Sequence, residues 1–270
     1  MSDWRPRLIA SDMDGTLLRS DDSVSEATVA ELERWRAAGV PVVLATGRPP
    51  RWMRKIRQVL GSGTAVCCNG AVLLDLERFE VLEEDALPPD ALRAITAGLR
   101  SEQPGTGFAV EYGLEFRHEP VYQPRWDVGG PGVGEAPLEE IVAAPAAKLL
   151  ARHEDMDRDP FVALVQRVVG DLATVTTSSE NALAEISAPG VTKATGLARV
   201  AARHGLGPED VVVFGDMPND VAAFDWVREG GGRAVAMAHA HPEVLAAATD
   251  VTGTNDDDGV AAFLASLPSL

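Results

Sequence analysis

The chain has 270 residues, 46% hydrophobic and 24% charged, which is enough to bury a sizeable core and to carry a second domain. Asp and Glu total 41 against 24 Lys and Arg, and the formal charge of -17 opposes non-specific attraction to nucleic acid or an anionic membrane. An anionic ligand must therefore be held at one place by local cations, a metal ion or backbone N–H groups.

The N-terminus, MSDWRPRLIASD, reaches charged residues before a signal-peptide core can form, and no apolar run of about 18 residues follows. A cytoplasmic protein, monomer or homodimer, with no nucleic-acid or membrane partner is expected. Leu8 to Ala10, Val40 to Leu44 and Ala65 to Cys68 are short apolar runs with helical stretches between them, the pattern of parallel strands joined by helices. The first helix is predicted to begin near Ser23, where SVSE has capping-box spacing, to carry Val29, Leu32 and Trp35 inward, and to stop at Gly39. Pro49 and Pro50 open a second, Arg-rich helix. Cys67 and Cys68, the only cysteines, read as reduced core residues on a buried strand, since bridging neighbours strains the backbone.

AVLLD and FEVLEE flank a turn at Glu77 and Arg78 and predict a hairpin. From about Leu82 to about Ser187 the pattern is less regular, with helix-like PPDALRAITAGL and PFVALVQRVV and strand-like GFAVEYGLEFRHE, KLLARH, ATVTTS and LAEIS. Gly and Pro cluster from Pro124 to Pro137, a predicted long loop or mobile cap edge. The strand–helix alternation resumes at Lys193 with KATGLARVAARHG, DVVVFGD, NDVAAFDWVRE, RAVAMA and PEVLAAATD, and closes with a helix after Asp258. An insertion thus interrupts one α/β domain, and the boundary between them is a natural ligand cleft.

Four stretches fall at the carboxyl ends of predicted strands or at helix starts: DMDGT at 12–16, TGR at 46–48, Lys193, and GDMPND at 215–220. Alone, each has an ordinary reading as a turn, a strand end, a surface lysine or a helix cap. In this order on one rim of a parallel sheet they form a kit for phosphoryl transfer. A phosphate monoester carries about two negative charges, so a carboxylate reaches its phosphorus only if cations and donors offset the repulsion. Mg²⁺ suits that task, and Asp12 and Asp216 supply two carboxylate ligands. Lys193 adds a positive charge, Thr46 a hydroxyl donor and Asn219 an amide. The second acid of the DMD pair is then explained: Asp12 attacks phosphorus, while Asp14 protonates the leaving oxygen and later deprotonates the attacking water.

These motifs resemble the haloacid-dehalogenase-like superfamily, specifically its Cof-type phosphatase branch. The resemblance extends to VCCNGAV, EISAPGVTKATGL and GTNDDDGVAAFL, and so covers nearly the whole chain. It implies an α/β fold, a Rossmann-like parallel-sheet core of residues 1–81 and 188–270 with an inserted α/β cap at 82–187. It also implies Asp12 as nucleophile and Asp14 as general acid and base. Mg²⁺ would be held by Asp12, the main-chain oxygen of Asp14, and Asp216, with Asp220 a further ligand or a support through water. The phosphate of a small-molecule ester would be held by the backbone after Asp12, at Met13, by Thr46 and Gly47, and by Lys193 and Asn219. Two positions depart from the family pattern: His239 stands where Asn is typical and Ala223 where Met is common. His239 is expected to be structural because Mg²⁺ prefers oxygen to imidazole, and His241, just before Pro242, to cap a helix.

Substrate choice is expected from Arg48 and from the cap, whose polar and aromatic candidates are Glu111, Tyr112, Arg117, His118, Arg125 and Trp126. Sugar phosphates lead by analogy, with nucleotide or vitamin-like phosphates behind. Two other classes compete: a phosphomutase on a sugar phosphate, and a non-catalytic receiver-like phospho-acceptor module. A receiver lacks a cap of this size, and an acid–base group beside its phosphate would shorten the signal.

Overall fold

The computed structural model describes residues 4–124, 130, 132–177 and 181–268. Two sheets organise it. The larger runs through β1 (Leu8–Ser11), β2 (Val42–Ala45), β3 (Thr64–Cys67), β4 (Val72–Asp75) and β5 (Glu80–Glu84), and is completed by strands from the end of the chain. Helices α1 (Glu26–Ala37) and α2 (Met53–Leu60) connect the first three strands. The smaller sheet contains β6 (Gly107–Tyr112), β7 (Glu115–His118), β8 (Val133–Glu135), β9 (Lys148–Arg152), β10 (Thr174–Thr176) and β11 (Leu183–Ser187), with α3 (Pro89–Glu102), α4 (Leu138–Ile141) and α5 (Arg158–Val169). The chain then returns to the larger sheet with α6 (Lys193–Arg203), β12 (Val211–Gly215), α7 (Val221–Gly230), β13 (Arg233–Ala236), α8 (Pro242–Ala247), β14 (Asp250–Val251) and α9 (Gly259–Ser266).

In the larger sheet the order is β14-β13-β12-β1-β2-β3-β4-β5, parallel from β14 to β3 and antiparallel beyond. Strands β1, β2 and β12 are buried along their whole length, which is why they read as unbroken apolar runs. Ile9, Leu32, Trp35, Met53 and Leu264 pack on one face; Leu8, Ala10, Leu197, Phe224 and Val244 pack on the other. The result is the Rossmann-like core with an inserted α/β cap. In the cap, order β10-β11-β9-β6-β7-β8, strand alternation sends Phe108 and Val110 toward α3 and α5. The opposite face carries a small apolar cluster of Phe116, Tyr122, Leu150 and Leu183.

Several local expectations shift. Helix α1 is capped by Ser25, whose hydroxyl accepts from Thr28 N at 3.0 Å, while the Ser23 carbonyl is taken by Arg19 N at 2.8 Å. Val29 is only half-buried, and Thr28 joins Leu32 and Trp35 on the inner face. The second run starts its strand at Val42, after Pro41, which cannot donate to the ladder. Cys68 leaves the strand for a turn with φ +51°, although both thiols are buried and unbridged. The stretch expected as loop from Pro124 to Pro137 contains β8, which pairs with β7. The cap boundary expected at 82 falls inside β5, whose pairing with β4 continues to Glu84. No helix among the described residues is long and apolar enough to cross a membrane.

Candidate active site

Parallel strands aim their carboxyl ends at one rim, and the chemical residues follow directly from three of them. Asp12 comes one residue after β1 and donates its backbone N–H to Phe214 O at 2.9 Å; Thr46 comes one residue after β2, and Asp216 one after β12. Between Asp12 and α1 the chain makes a tight turn in which Gly15 has φ +71°, and a Cβ there would lie 2.4 Å from Asp216 Oδ2. Lys193 is the first residue of α6, capped by Thr192. Gly70 lets that helix start approach the core, since a Cβ at its φ of +111° would lie 2.0 Å from Thr192 O.

Lys193 is fully buried, with Nζ 2.8 Å from Asp12 Oδ1 and 2.7 Å from Asp220 Oδ1. The other oxygen of Asp220 accepts from the Asp216 and Met217 amides, each at 3.0 Å, so this carboxylate fixes both the lysine and the turn after β12. Thr16 Oγ1 donates to Asp216 Oδ1 at 2.7 Å. Asp12, Asp216 and Asp220 each offer an oxygen within 4.8 Å of the others. Burial pushes Asp12 well above the usual carboxylate range against the pull of Lys193, and pushes Asp216 up to about 6 against its bond from Thr16. Three buried carboxylates share one buried ammonium, too little positive charge to keep them all ionised. A hard divalent cation fits that imbalance and that donor set.

Asp14 is exposed, and its carboxylate sits in the fork of Arg48, with Nε to Oδ2 at 2.8 Å. Arg48 also reaches Asp22 at 3.2 Å and lies over the Trp52 ring. Thr46 is fully buried, and its hydroxyl oxygen accepts from Arg48 N at 3.0 Å. Asn219 donates its side-chain amide to Asn69 Oδ1 at 3.0 Å, while its own Oδ1 is buried without a partner. Met13 is buried at the start of the turn. His239 Nε2 lies 4.0 Å from Asp216 Oδ2, and His241 caps α8, its Nδ1 accepting from Glu243 N at 3.3 Å.

A cavity of about 440 Å³ opens over this rim, bounded by Asp12, Asp14, Gly47, Arg48 and Asn219 from the core and by Glu111, Phe116, Tyr122, Lys148, Leu150, Leu183 and Glu185 from the cap. Glu111 is thus brought to the site, where it pairs with Arg51. Arg117 and His118 are not among the lining residues. Arg117 pairs with Glu115 at 2.8 Å and His118 packs against Phe116 and Tyr122. Tyr112 donates to Ile141 O and borders a separate hollow with Arg117. Arg125 and Trp126 lie outside the described residues. Sequence reasoning missed Lys148, Glu185 and Asn69. For Lys148 and Glu185 the available signal was a charge in an apolar strand, KLLAR and LAEIS, which a buried sheet admits only when the charge is paired.

Comparison with known proteins settles the lineage: residues 9–264 match the family of haloacid dehalogenase-like hydrolases. The chain is a haloacid dehalogenase-like hydrolase. Among curated relatives of this hydrolase, the 5-amino-6-(5-phospho-D-ribitylamino)uracil phosphatase YcsE of Bacillus subtilis is 30% identical over 256 residues, spanning 94% of this chain and 93% of that protein. The pyridoxal phosphate phosphatase YbhA of Escherichia coli is 27% identical over 272 residues, spanning 96% and 98%. A solved haloacid dehalogenase-like hydrolase from B. subtilis superposes with a TM-score of 0.82 at 23% identity, covering 97% of this chain and 100% of that one. The expected hydrolase of phosphoric monoesters, with its parallel-sheet core and cap, is borne out. A non-catalytic receiver-like module is not.

Proposed function

We propose that this hydrolase is a Mg²⁺-dependent phosphatase that cleaves a small phosphomonoester through an aspartyl-phosphate on Asp12, with the insertion that follows β5 and ends with β11 acting as the substrate-selecting cap. The observation that carries the reading is the buried Lys193 ammonium bonded to both Asp12 and Asp220 beside Asp216. Asp12 and Asp216, with the main-chain oxygen of Asp14, are the groups to hold the metal, whose charge would offset that of the phosphate. Asp220 has both oxygens engaged and serves as support.

In the first step an Asp12 oxygen bonds to phosphorus, the ester P–O bond breaks, and Asp14 gives its proton to the leaving oxygen. In the second, Asp14 takes a proton from water as that oxygen bonds to phosphorus and the bond to Asp12 breaks, releasing phosphate. Lys193, Thr46, Asn219 and the amides from Met13 onward are the donors for phosphate oxygens. Asp14 must part from Arg48 to reach the leaving group, and Arg48, which lines the cavity, then shares in selecting substrates.

A panel of phosphomonoesters tested for phosphate release with and without Mg²⁺ decides the reading. Release that is insensitive to chelator, or transfer to a second sugar hydroxyl instead of water, overturns it; the latter outcome identifies a phosphomutase. Within the panel the cap wall favours heterocyclic over sugar leaving groups. Phe116, Tyr122, Leu150 and Leu183 present an apolar face, and the cavity carboxylates Glu111 and Glu185 are already paired with Arg51 and Lys148. The two relatives named above are named for substrates that carry heterocycles.

A further inference from the structure

Lys148 is a cap residue, yet its side chain ends in the core. It projects from β9 with only 2% of its surface exposed, and its ammonium donates to the Gly47 carbonyl at 2.7 Å and to Glu185 Oε1 on the neighbouring β11 at 3.0 Å. Burial opposes this charge, but Glu185 holds the Lys148 pKa above the ordinary lysine value, so the group donates as an ammonium.

The bonded carbonyl belongs to the turn that is read above as holding phosphate. The peptide joining Gly47 to Arg48 accepts from Lys148 at one end, and at the other its N–H donates to Thr46 Oγ1 at 3.0 Å. With its oxygen engaged as acceptor, the Thr46 hydroxyl keeps its proton for a ligand. A cation on the carbonyl strengthens the N–H across the same peptide, and successive bonds in such a chain reinforce one another. Glu185 extends the connection: its Oε2 accepts from Asn69 Nδ2 at 2.6 Å, and Asn69 Oδ1 accepts from Asn219 Nδ2 at 3.0 Å. One cap ion pair therefore ties together two core loops from which phosphate donors come.

We infer that Lys148 is a positioning residue, a cap-borne ammonium that fixes the Thr46–Gly47–Arg48 turn and, with Glu185, Asn69 and Asn219, assembles the phosphate pocket only when the cap sits on the core. The inference rests on the phosphatase reading and goes beyond it: the cap completes the phosphate pocket as well as choosing the leaving group. Lys148 acts on the part of the substrate that every ester shares.

The test compares wild type with Lys148→Met, Lys148→Arg and the double variant K148M/E185Q, which removes the ion pair without leaving a lone buried charge. Each is assayed with two esters of different leaving-group size and for inhibition by inorganic phosphate, after thermal melting shows a folded protein. The expected result is a roughly tenfold weaker inhibition by inorganic phosphate in K148M and in the double variant, with kcat/KM falling by a similar factor for both esters and partial recovery in K148R. Unchanged phosphate inhibition overturns the inference, and so does a loss confined to the larger ester, which would show that Lys148 reads the leaving group. If K148M does not fold, the double variant carries the same comparison. A wild type that releases phosphate from no ester refutes the phosphatase reading instead, a result separate from any of these.

Discussion

Lys193 and Asp12, far apart in the chain, meet at 2.8 Å in a site where both are almost completely buried. The contact exists because β1 and β12 are parallel neighbours and α6 begins beside their carboxyl ends. Lys193→Met should lower turnover at saturating substrate by at least about a hundredfold, since the charge facing the phosphate is lost. It should also cost about 3 to 5 kcal/mol of stability, because Asp12 and Asp220 are left without their cation. Urea unfolding of the metal-free variant measures the second effect; wild-type stability there removes the ion pair from the account of the fold.

Asp12→Asn separates chemistry from folding. Burial already disfavours the ionised Asp12, and Lys193 keeps its bond to Asp220, so the variant should melt within a few degrees of wild type. Its phosphate release should fall by at least about a thousandfold, the loss expected when a nucleophile is removed. Retained turnover in freshly prepared D12N sinks the nucleophile assignment.

Millimolar Mg²⁺ should raise the melting temperature of the chelator-treated protein, because it binds the folded cluster of Asp12 and Asp216 and relieves their crowding. Asp216→Asn should abolish that shift while remaining folded. Melting curves that superpose with and without Mg²⁺ in wild type count against a metal at this cluster.

Gly15→Ala tests the turn after β1. The φ of +71° and the 2.4 Å approach of a Cβ to Asp216 Oδ2 predict a destabilisation of more than about 1 kcal/mol. The displaced Asp216 should raise the Mg²⁺ concentration needed for half-maximal activity. A variant with wild-type metal titration shows that the turn is free to shift and that Asp216 does not depend on it.

Phe116→Ala opens the apolar wall of the cap without touching the phosphate rim. KM for heterocyclic esters should rise by about tenfold, while inhibition by inorganic phosphate stays as in wild type. A rise shared equally by a small acyclic ester would mean that the wall does not discriminate.

The motifs of the core are readable in one dimension because each is a local pattern. DMDGT and GDMPND pair a strand end with turn chemistry, and TGR marks the end of the next strand. Apolar runs of four or five residues specify strands buried on both faces, and their alternation with helices dictates parallel connections that bring those ends to one rim. Lys193 is legible only with the others, since a lysine at a helix start is by itself an ordinary surface residue. The cap reads less well. Arg117 and His118 looked like substrate contacts by residue type, but β7 turns Arg117 to a separate hollow and packs His118 on rings.

Sequence alone thus determined the class of fold and most of the strand–helix alternation of the core, and it picked out the acids, the lysine and the turns that meet at one rim, because period and turn chemistry act over a few residues. Only the tertiary structure decided which cap residues meet the core. The bonds of Lys148 to Gly47 and of Glu185 to Asn69 join residues far apart in the chain. Their partners are chosen by how one face of the cap sheet sits over the loops at the rim of the core sheet, and no local pattern of residues carries that information.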